Sequence, residues 1–249
     1  MRRYFIFLSY DGAAYHGWQR QPNAISVQQV LEEALSTILR KDIPVTGAGR
    51  TDQGVHAREM AAHMDAEDGW NIDCALLQDK LNRILPQDIS IKDIREVSPE
   101  LHARFSATSR RYTYTVTLKK DPFLRDRSLR LFSRPDFELM NEAAHLLLGE
   151  EDFTSFSKLH TDVKTNICHL SRAIWEEKEE GVWVFTIEAD RFLRNMVRAI
   201  VGTLLDVGFH KLSLEAFMEI IRKKDRCAAG TSVPAQGLVL EKVTYPDMD

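Results

Sequence analysis

Apolar and polar positions along the chain change period several times, and each change marks an element. Residues 4–10 form a short aromatic and aliphatic run closed by Asp11 and Gly12, the pattern of a buried strand. Over residues 27–40 the apolar positions Val27, Val30, Leu31, Ala34, Leu35, Ile38 and Leu39 recur every three or four residues, which predicts an amphipathic helix. Ser26 before it and Gln29 three residues on have the arrangement of a capping box. Gly47 and Gly49 lead into a loop, 57–64 reads as a strand, 74–85 as a second helix, and Ile89, Ile91 and Ile94 as a further strand. In 111–118 alternation is strict: Tyr112, Tyr114, Val116 and Leu118 share one face, and Thr113, Thr115 and Thr117 the other. A helix over 137–148 has Asp136 as cap and Gly149 as stop. Strands at 170–177 and 182–188 are joined by a charged hairpin that ends at Gly181. A helix over 191–207 ends at Gly208, another over 214–223 is capped by Ser213, and 238–245 closes the chain as a strand.

Strands and helices are mixed without strict βαβ alternation, and several consecutive strands have the spacing of hairpins. The expectation is an α+β fold with antiparallel sheet rather than a doubly wound one. Each half carries strands and two helices, and the boundary falls near 105–109, giving domains 1–106 and 107–249. A length of 249 residues suits one large or two small domains. The formal net charge of −4 carries no signature of nucleic acid, so any such site has to be a local basic patch. Cys74, Cys168 and Cys227 are odd in number and widely spaced, which predicts reduced thiols rather than a disulfide framework or a zinc site. The lone Cys168-His169 pair has no companion ligands at metal spacing. The N-terminal apolar run is broken by Asp11 and Gly12 without a cleavage site, and no run approaches the roughly 18 apolar residues of a membrane span. A cytoplasmic protein is expected.

Three segments carry candidate chemistry. In GAGRTDQGVH, residues 47–56, a dinucleotide fingerprint would need glycine where Asp52 stands, and a P-loop would need GK[ST]. The glycines therefore shape the backbone, and Asp52 reads either as a reactive carboxylate or as an Asx-type turn residue. In LHARFSATSRRYTY, residues 101–114, His102, Arg104, Arg110 and Arg111 alternate with Phe105 and Tyr112. That is the composition of an RNA-contacting surface, and equally of a solvated strand and loop. Arg191, Arg194 and Arg198 fall at i, i+3 and i+7 of the expected helix, hence on one face. Arg198 stands among Met196, Val197, Ile200 and Val201, where a charge needs a partner.

Six stretches, in order, resemble one family. GRTDQGVHA resembles the catalytic loop of the TruA family of tRNA pseudouridine synthases, and LHARFSATSRRYTY, FLRNMVRAIVGTLLDVG and AAGTSVPAQGLVLEKVTYP are similar to its later landmarks. SYDGAAYHGWQRQPNAISVQQVLEEAL and LLGEEDFTSF also resemble family patterns, so the likeness covers nearly the whole chain. The resemblance implies two ferredoxin-like halves around a catalytic cleft, and isomerisation of uridine at positions 38, 39 and 40 of the tRNA anticodon arm with base flipping. It makes Asp52 the catalytic carboxylate, Arg50 the arginine that helps flip the base, Tyr112 the active-site tyrosine and Arg198 the arginine that pairs with the aspartate. Leu101, His102, Ala103, Arg104 and Phe105 match an RNA-contacting segment, and His160, Thr161, Asp162, Val163 and Lys164 match another. Arg191 and Arg194 depart from the family's commoner uncharged residues. The family implies a homodimer with one tRNA touching both subunits, and neither cofactor nor metal. Competing readings are a non-catalytic RNA-binding or chaperone protein, the same chemistry on another tRNA site or another RNA, and an aspartate-nucleophile hydrolase or phosphotransferase. The last wants further acids for Mg²⁺ near Asp52, and the nearest is Glu59.

Overall fold

In the computed structural model, which describes residues 1–67, 69–158, 165–246 and 248, the chain runs β1 (Arg2–Tyr10), α1 (Val27–Leu39), β2 (Thr46–Gly47), β3 (His56–Ala66), α2 (Cys74–Ile84), β4 (Ile89–Val97), β5 (Ser109–Thr117), β6 (Leu129–Arg130), α3 (Phe137–Leu146), β7 (Leu170–Glu179), β8 (Val182–Ala189), α4 (Met196–Gly208), α5 (Leu214–Lys223) and β9 (Leu238–Thr244). It divides into two units, Met1–Thr108 with Leu240–Asp249, and Ser109–Val239. The C-terminal segment thus belongs with the first unit.

In the first unit β1 lies between β3 and β4, antiparallel to both, with β2 and β9 also beside β3. Residues 4–8 of β1 are buried on both faces, which is why the run is continuously apolar rather than alternating. Ser26 caps α1 by accepting the Gln29 N–H at 3.3 Å. The expected capping box is only half made, because the Gln29 amide donates forward to Glu33 at 2.9 Å. Helix α2 packs on β4 and against α1.

In the second unit β8 pairs antiparallel with β5 and β7, and β6 adds to β5 in parallel. Helix α3 packs on β7 and α4, with α5 against both helices. Phe137 opens α3 and stacks on Trp183 at 3.7 Å between centroids, and Asn141 takes and gives main-chain hydrogen bonds to Trp175. Each unit is therefore α+β with mostly antiparallel pairing, and among the described residues no helix is long and apolar enough to cross a membrane.

Two sequence expectations are corrected here. Helix α4 starts at Met196, not at 191, because Asn195 adopts φ 66 and ψ 3. A left-handed residue cannot continue a right-handed helix, and Asn tolerates that conformation better than most. Its amide is anchored on Ser232 Oγ at 2.6 Å. Arg191 and Arg194 thus precede the helix and share no helical face with Arg198. Gly208, expected to end this helix, lies within it. A Cβ there would come 2.5 Å from Met140 Sδ, so the glycine serves the close approach of α3 to α4.

Candidate active site

The loop that carries Asp52 is built from main-chain bonds. After β2 the Ala48 N–H still pairs with Ala61 (2.7 Å), then the chain leaves the sheet and returns at His56. The Val55 N–H closes a turn on the Asp52 carbonyl at 3.1 Å, and Gly54 stands in it with φ 78, a conformation for which glycine is the default. Residues 10–18 hold both flanks. Tyr10 and Thr51 hydroxyls lie 2.9 Å apart, the Trp18 N–H reaches the Thr51 carbonyl and the Gly54 N–H the Tyr15 carbonyl, each at 3.3 Å. His56 Nδ1 lies 3.1 Å from the Gly12 nitrogen and 2.9 Å from Asp11 Oδ1, which ties the start of β3 to the end of β1. Asp52 itself is half-buried and Arg50 is exposed.

Glycines decide how closely these segments approach, and one of them, Gly17, stands outside the glycine-rich loop. Gly17 has φ 89, and a Cβ on it would lie 2.3 Å from the Thr51 carbonyl oxygen and 3.2 Å from the Asp52 carbonyl carbon. Gly47 lies under Trp18, whose Nε1 would be 2.3 Å from a Cβ there, whereas a Cβ on Gly49 would meet nothing within 4 Å among the described residues. Gly17→Ala is accordingly expected to displace the turn, costing about 1–3 kcal/mol of stability and at least about tenfold in kcat, while Gly49→Ala behaves nearly as wild type. Thermal melts and steady-state rates of the two variants check this. Equal behaviour would mean that the close packing behind Asp52 does not matter.

In the second unit, Tyr112 and Tyr114 lie on the same face of β5 and differ in environment. Tyr114 is fully buried, donates its hydroxyl to the Pro234 carbonyl at 2.9 Å, and burial pushes its ionisation far up. Tyr112 is half-buried, with its ring edge-on to Phe192 at 5.2 Å. Arg110 donates to the Asp190 carbonyl at 2.7 Å. Arg111 is paired with Glu188 at 2.8 Å. Burial works against that carboxylate, yet Arg111 and Ser109 hold it below the usual range, so the Arg111 charge is balanced within the protein.

Arg198 lies in the first turn of α4 and is half-buried. Its Nε donates to the Val233 carbonyl at 2.7 Å, and its own carbonyl accepts the Val233 N–H at 3.1 Å. The chain at 230–233 lies directly on α4: a Cβ on Gly202 would come 1.9 Å from the Thr231 oxygen, and Arg226 braces Gly230 and Ser232 at 3.2 and 2.8 Å.

The segment with Leu101, His102, Ala103, Arg104 and Phe105 belongs to the first unit. Ala103 is fully buried, Leu101 and His102 are half-buried, and Arg104 and Phe105 are exposed. The expected contacts His160, Thr161, Asp162, Val163 and Lys164 lie outside the described residues. A cavity of about 420 Å³ in the first unit, lined by Ile38, Trp70, Leu76, Leu77 and Lys80, includes none of the candidate residues. Among the described residues no group of three His, Cys, Asp or Glu is placed to hold a metal ion.

A family model described as tRNA pseudouridine synthase matches residues 6–106 and 143–246. The tRNA pseudouridine synthase A of Bacteroides thetaiotaomicron is 59% identical over 249 residues, covering 99% of this chain and 92% of that one. The protein of the same name from Parabacteroides distasonis is 58% identical, covering 99% and 97%. That of Acetivibrio thermocellus is 38% identical, covering 98% and 100%.

Proposed function

The chain belongs to the tRNA pseudouridine synthase family, and we propose that it acts on the anticodon arm of tRNA, at positions 38, 39 and 40, with Asp52 as the catalytic carboxylate. It is an isomerase that converts uridine in tRNA to pseudouridine. The observation that carries the assignment to Asp52 is its place in a turn pinned on both flanks, by Thr51 to Tyr10 and by Gly54 to Tyr15.

The reaction breaks the N1–C1′ bond, turns the uracil and joins C5 to C1′. Atoms are conserved, so the protein has to supply a nucleophile or charge stabiliser, a proton acceptor, and a way to hold the freed base. A carboxylate on a rigid turn serves the first need. Arg198 is its cationic partner, since a close guanidinium favours the ionised form of an acid that a flipped base would otherwise desolvate. Tyr112 offers a ring to stack on the uracil and a hydroxyl for proton transfer. A stacked uridine has to be extruded at about a few kcal/mol, and Arg50, exposed two residues before Asp52, is assigned to fill the space or hold the displaced phosphate. Pseudouridine mapping of tRNA with and without the enzyme tests the site: product elsewhere than positions 38, 39 and 40 refutes it.

RNA contact is assigned to Arg104, Phe105 and Arg110, and also to Leu101, His102, Arg111 and residues 160–164, with Ala103 as the buried anchor of its own segment. The working form is a cytoplasmic homodimer in which one tRNA touches both subunits, without metal or nucleotide cofactor. Because the chain carries a net charge of −4, binding has to rest on a few local phosphate contacts. Affinity for tRNA is then expected to fall about tenfold or more between 50 and 200 mM salt, from release of condensed counterions. Filter binding across that range checks it, and a flat response counts against phosphate contacts.

A further inference from the structure

We propose that His63 is a positioning residue for RNA engagement: by accepting the Ala103 N–H it holds Arg104 and Phe105 at the surface in the arrangement that meets the substrate. The inference rests on the reading that residues 101–105 contact tRNA, and it names what makes that segment rigid.

Residues 99–106 form turns outside any helix or strand, so their backbone groups need partners from elsewhere. Side chains supply them. Arg3 on β1 donates Nη1 to the Pro99 and Leu101 carbonyls, both at 2.8 Å. Its other nitrogens grip both oxygens of Asp65 on β3 at 2.7 and 2.8 Å, which fixes the guanidinium. His63, two residues before Asp65 and on the same face of β3, accepts the Ala103 N–H on Nδ1 at 3.1 Å. Tyr245, just beyond β9, donates its hydroxyl to the Ala103 carbonyl at 2.5 Å. The main chain on both sides of the Ala103 Cα is therefore held by side chains from below.

The hold passes outward through His102. Its Nδ1 faces the N–H groups of Arg104 and Phe105 at 3.1 and 3.3 Å, and Ser106 Oγ accepts its own N–H at 2.9 Å. Ring contacts follow the same line: Phe5 to His63 at 6.1 Å, His63 to His102 at 4.6 Å, and His102 to Phe105 at 4.5 Å. The line begins at buried Phe5 and ends at Phe105, which is 75% exposed, with the Arg104 guanidinium 5.5 Å from its ring centroid. An arginine over an aromatic ring offers a phosphate contact and a stacking surface together.

A buried acceptor at this position has to be neutral. His63 is 6% exposed, and burial first, then Arg3 and His102, push its pKa down to about 4, against the opposing pull of Asp65. The ring is neutral at physiological pH, with its proton on Nε2 and the Nδ1 lone pair open to the Ala103 N–H.

The test compares kcat and KM of the full-length enzyme on a tRNA transcript. His63→Phe keeps an aromatic ring and removes the acceptor. It is expected to raise KM about tenfold, the scale set by leaving one buried N–H unmatched, and to leave kcat within about twofold. His63→Gln, which restores an acceptor, recovers most of the loss. Tyr245→Phe, which removes the second bond to Ala103 without touching β3, gives the same rise in KM and carries the test should His63→Phe fail to fold. Adding Phe105→Ala to His63→Phe costs less than Phe105→Ala costs in the wild type, because the displaced ring no longer contributes. An unchanged KM in the folded variants overturns the inference. So does a loss of kcat with unchanged KM, or full additivity with Phe105→Ala. A wild type that makes no pseudouridine in the transcript removes the functional reading itself; an active wild type with indifferent variants removes only the role of His63.

Discussion

Asp52→Asn is expected to abolish pseudouridine formation, lowering kcat on the order of 10⁴-fold or more, while tRNA affinity stays within a few-fold. The substitution keeps size and shape and removes the charge and the nucleophilic oxygen that the chemistry needs. The turn is fixed through the Asp52 carbonyl, the Val55, Gly54 and Trp18 N–H groups, and the Thr51 hydroxyl, and an amide of the same size and shape leaves all of these in place. The scaffold should therefore survive the change, which is what makes the comparison clean. Three measurements decide it: product formed per enzyme in a single turnover, equilibrium binding of tRNA, and the thermal melt. Turnover near wild type removes Asp52 from the chemistry. A collapsed melt moves the effect to folding, and Gly17→Ala then shows how far disturbing the turn alone can go.

Much of this site was legible in the chain because its cues are local. Gly54 stands in the turn at positive φ, and Gly47 is needed for close packing, as a glycine-rich loop around Asp52 suggests. Ser26, Asp136 and Ser213 cap helices where the pattern places them. What escaped depends on residues far apart in sequence. Gly17 matters because the Thr51 carbonyl passes over it, and Arg111 is balanced by Glu188, 77 positions away. The support under Ala103 joins it to residues 40 and 142 positions distant, so no periodicity or motif announces Arg3, His63 or Tyr245. The early start expected for α4 failed for the opposite reason. The apolar spacing of 191–207 is helical, but one left-handed residue, Asn195, held by Ser232, outweighs it.

Arg198→Met should fold and react at least about a hundredfold more slowly, and Arg198→Lys should fall between it and the wild type. Ala199 and Ile200 beside Arg198 are fully buried, with Met196 and Val197 nearly so, so a methionine of similar length has an apolar setting to enter. Both replacements lose the Nε bond to the Val233 carbonyl. Losing this part-buried hydrogen bond costs about 1 kcal/mol, which should appear as a similar fall in Tm for the two variants. They differ in charge. Lysine keeps a cation but offers a point donor, whereas the guanidinium can engage both oxygens of a carboxylate. A rate difference between variants of equal stability therefore reports the charge, not the packing of residues 230–233 on α4. The proposed partnership with Asp52 has its own test in a double-mutant cycle. If Arg198 acts through the carboxylate, the Asp52→Asn, Arg198→Met enzyme is no slower than Asp52→Asn alone, because the arginine has nothing left to support. Multiplicative losses would give Arg198 a role independent of Asp52. An Arg198→Met enzyme with full activity would reduce it to a structural brace for Val233.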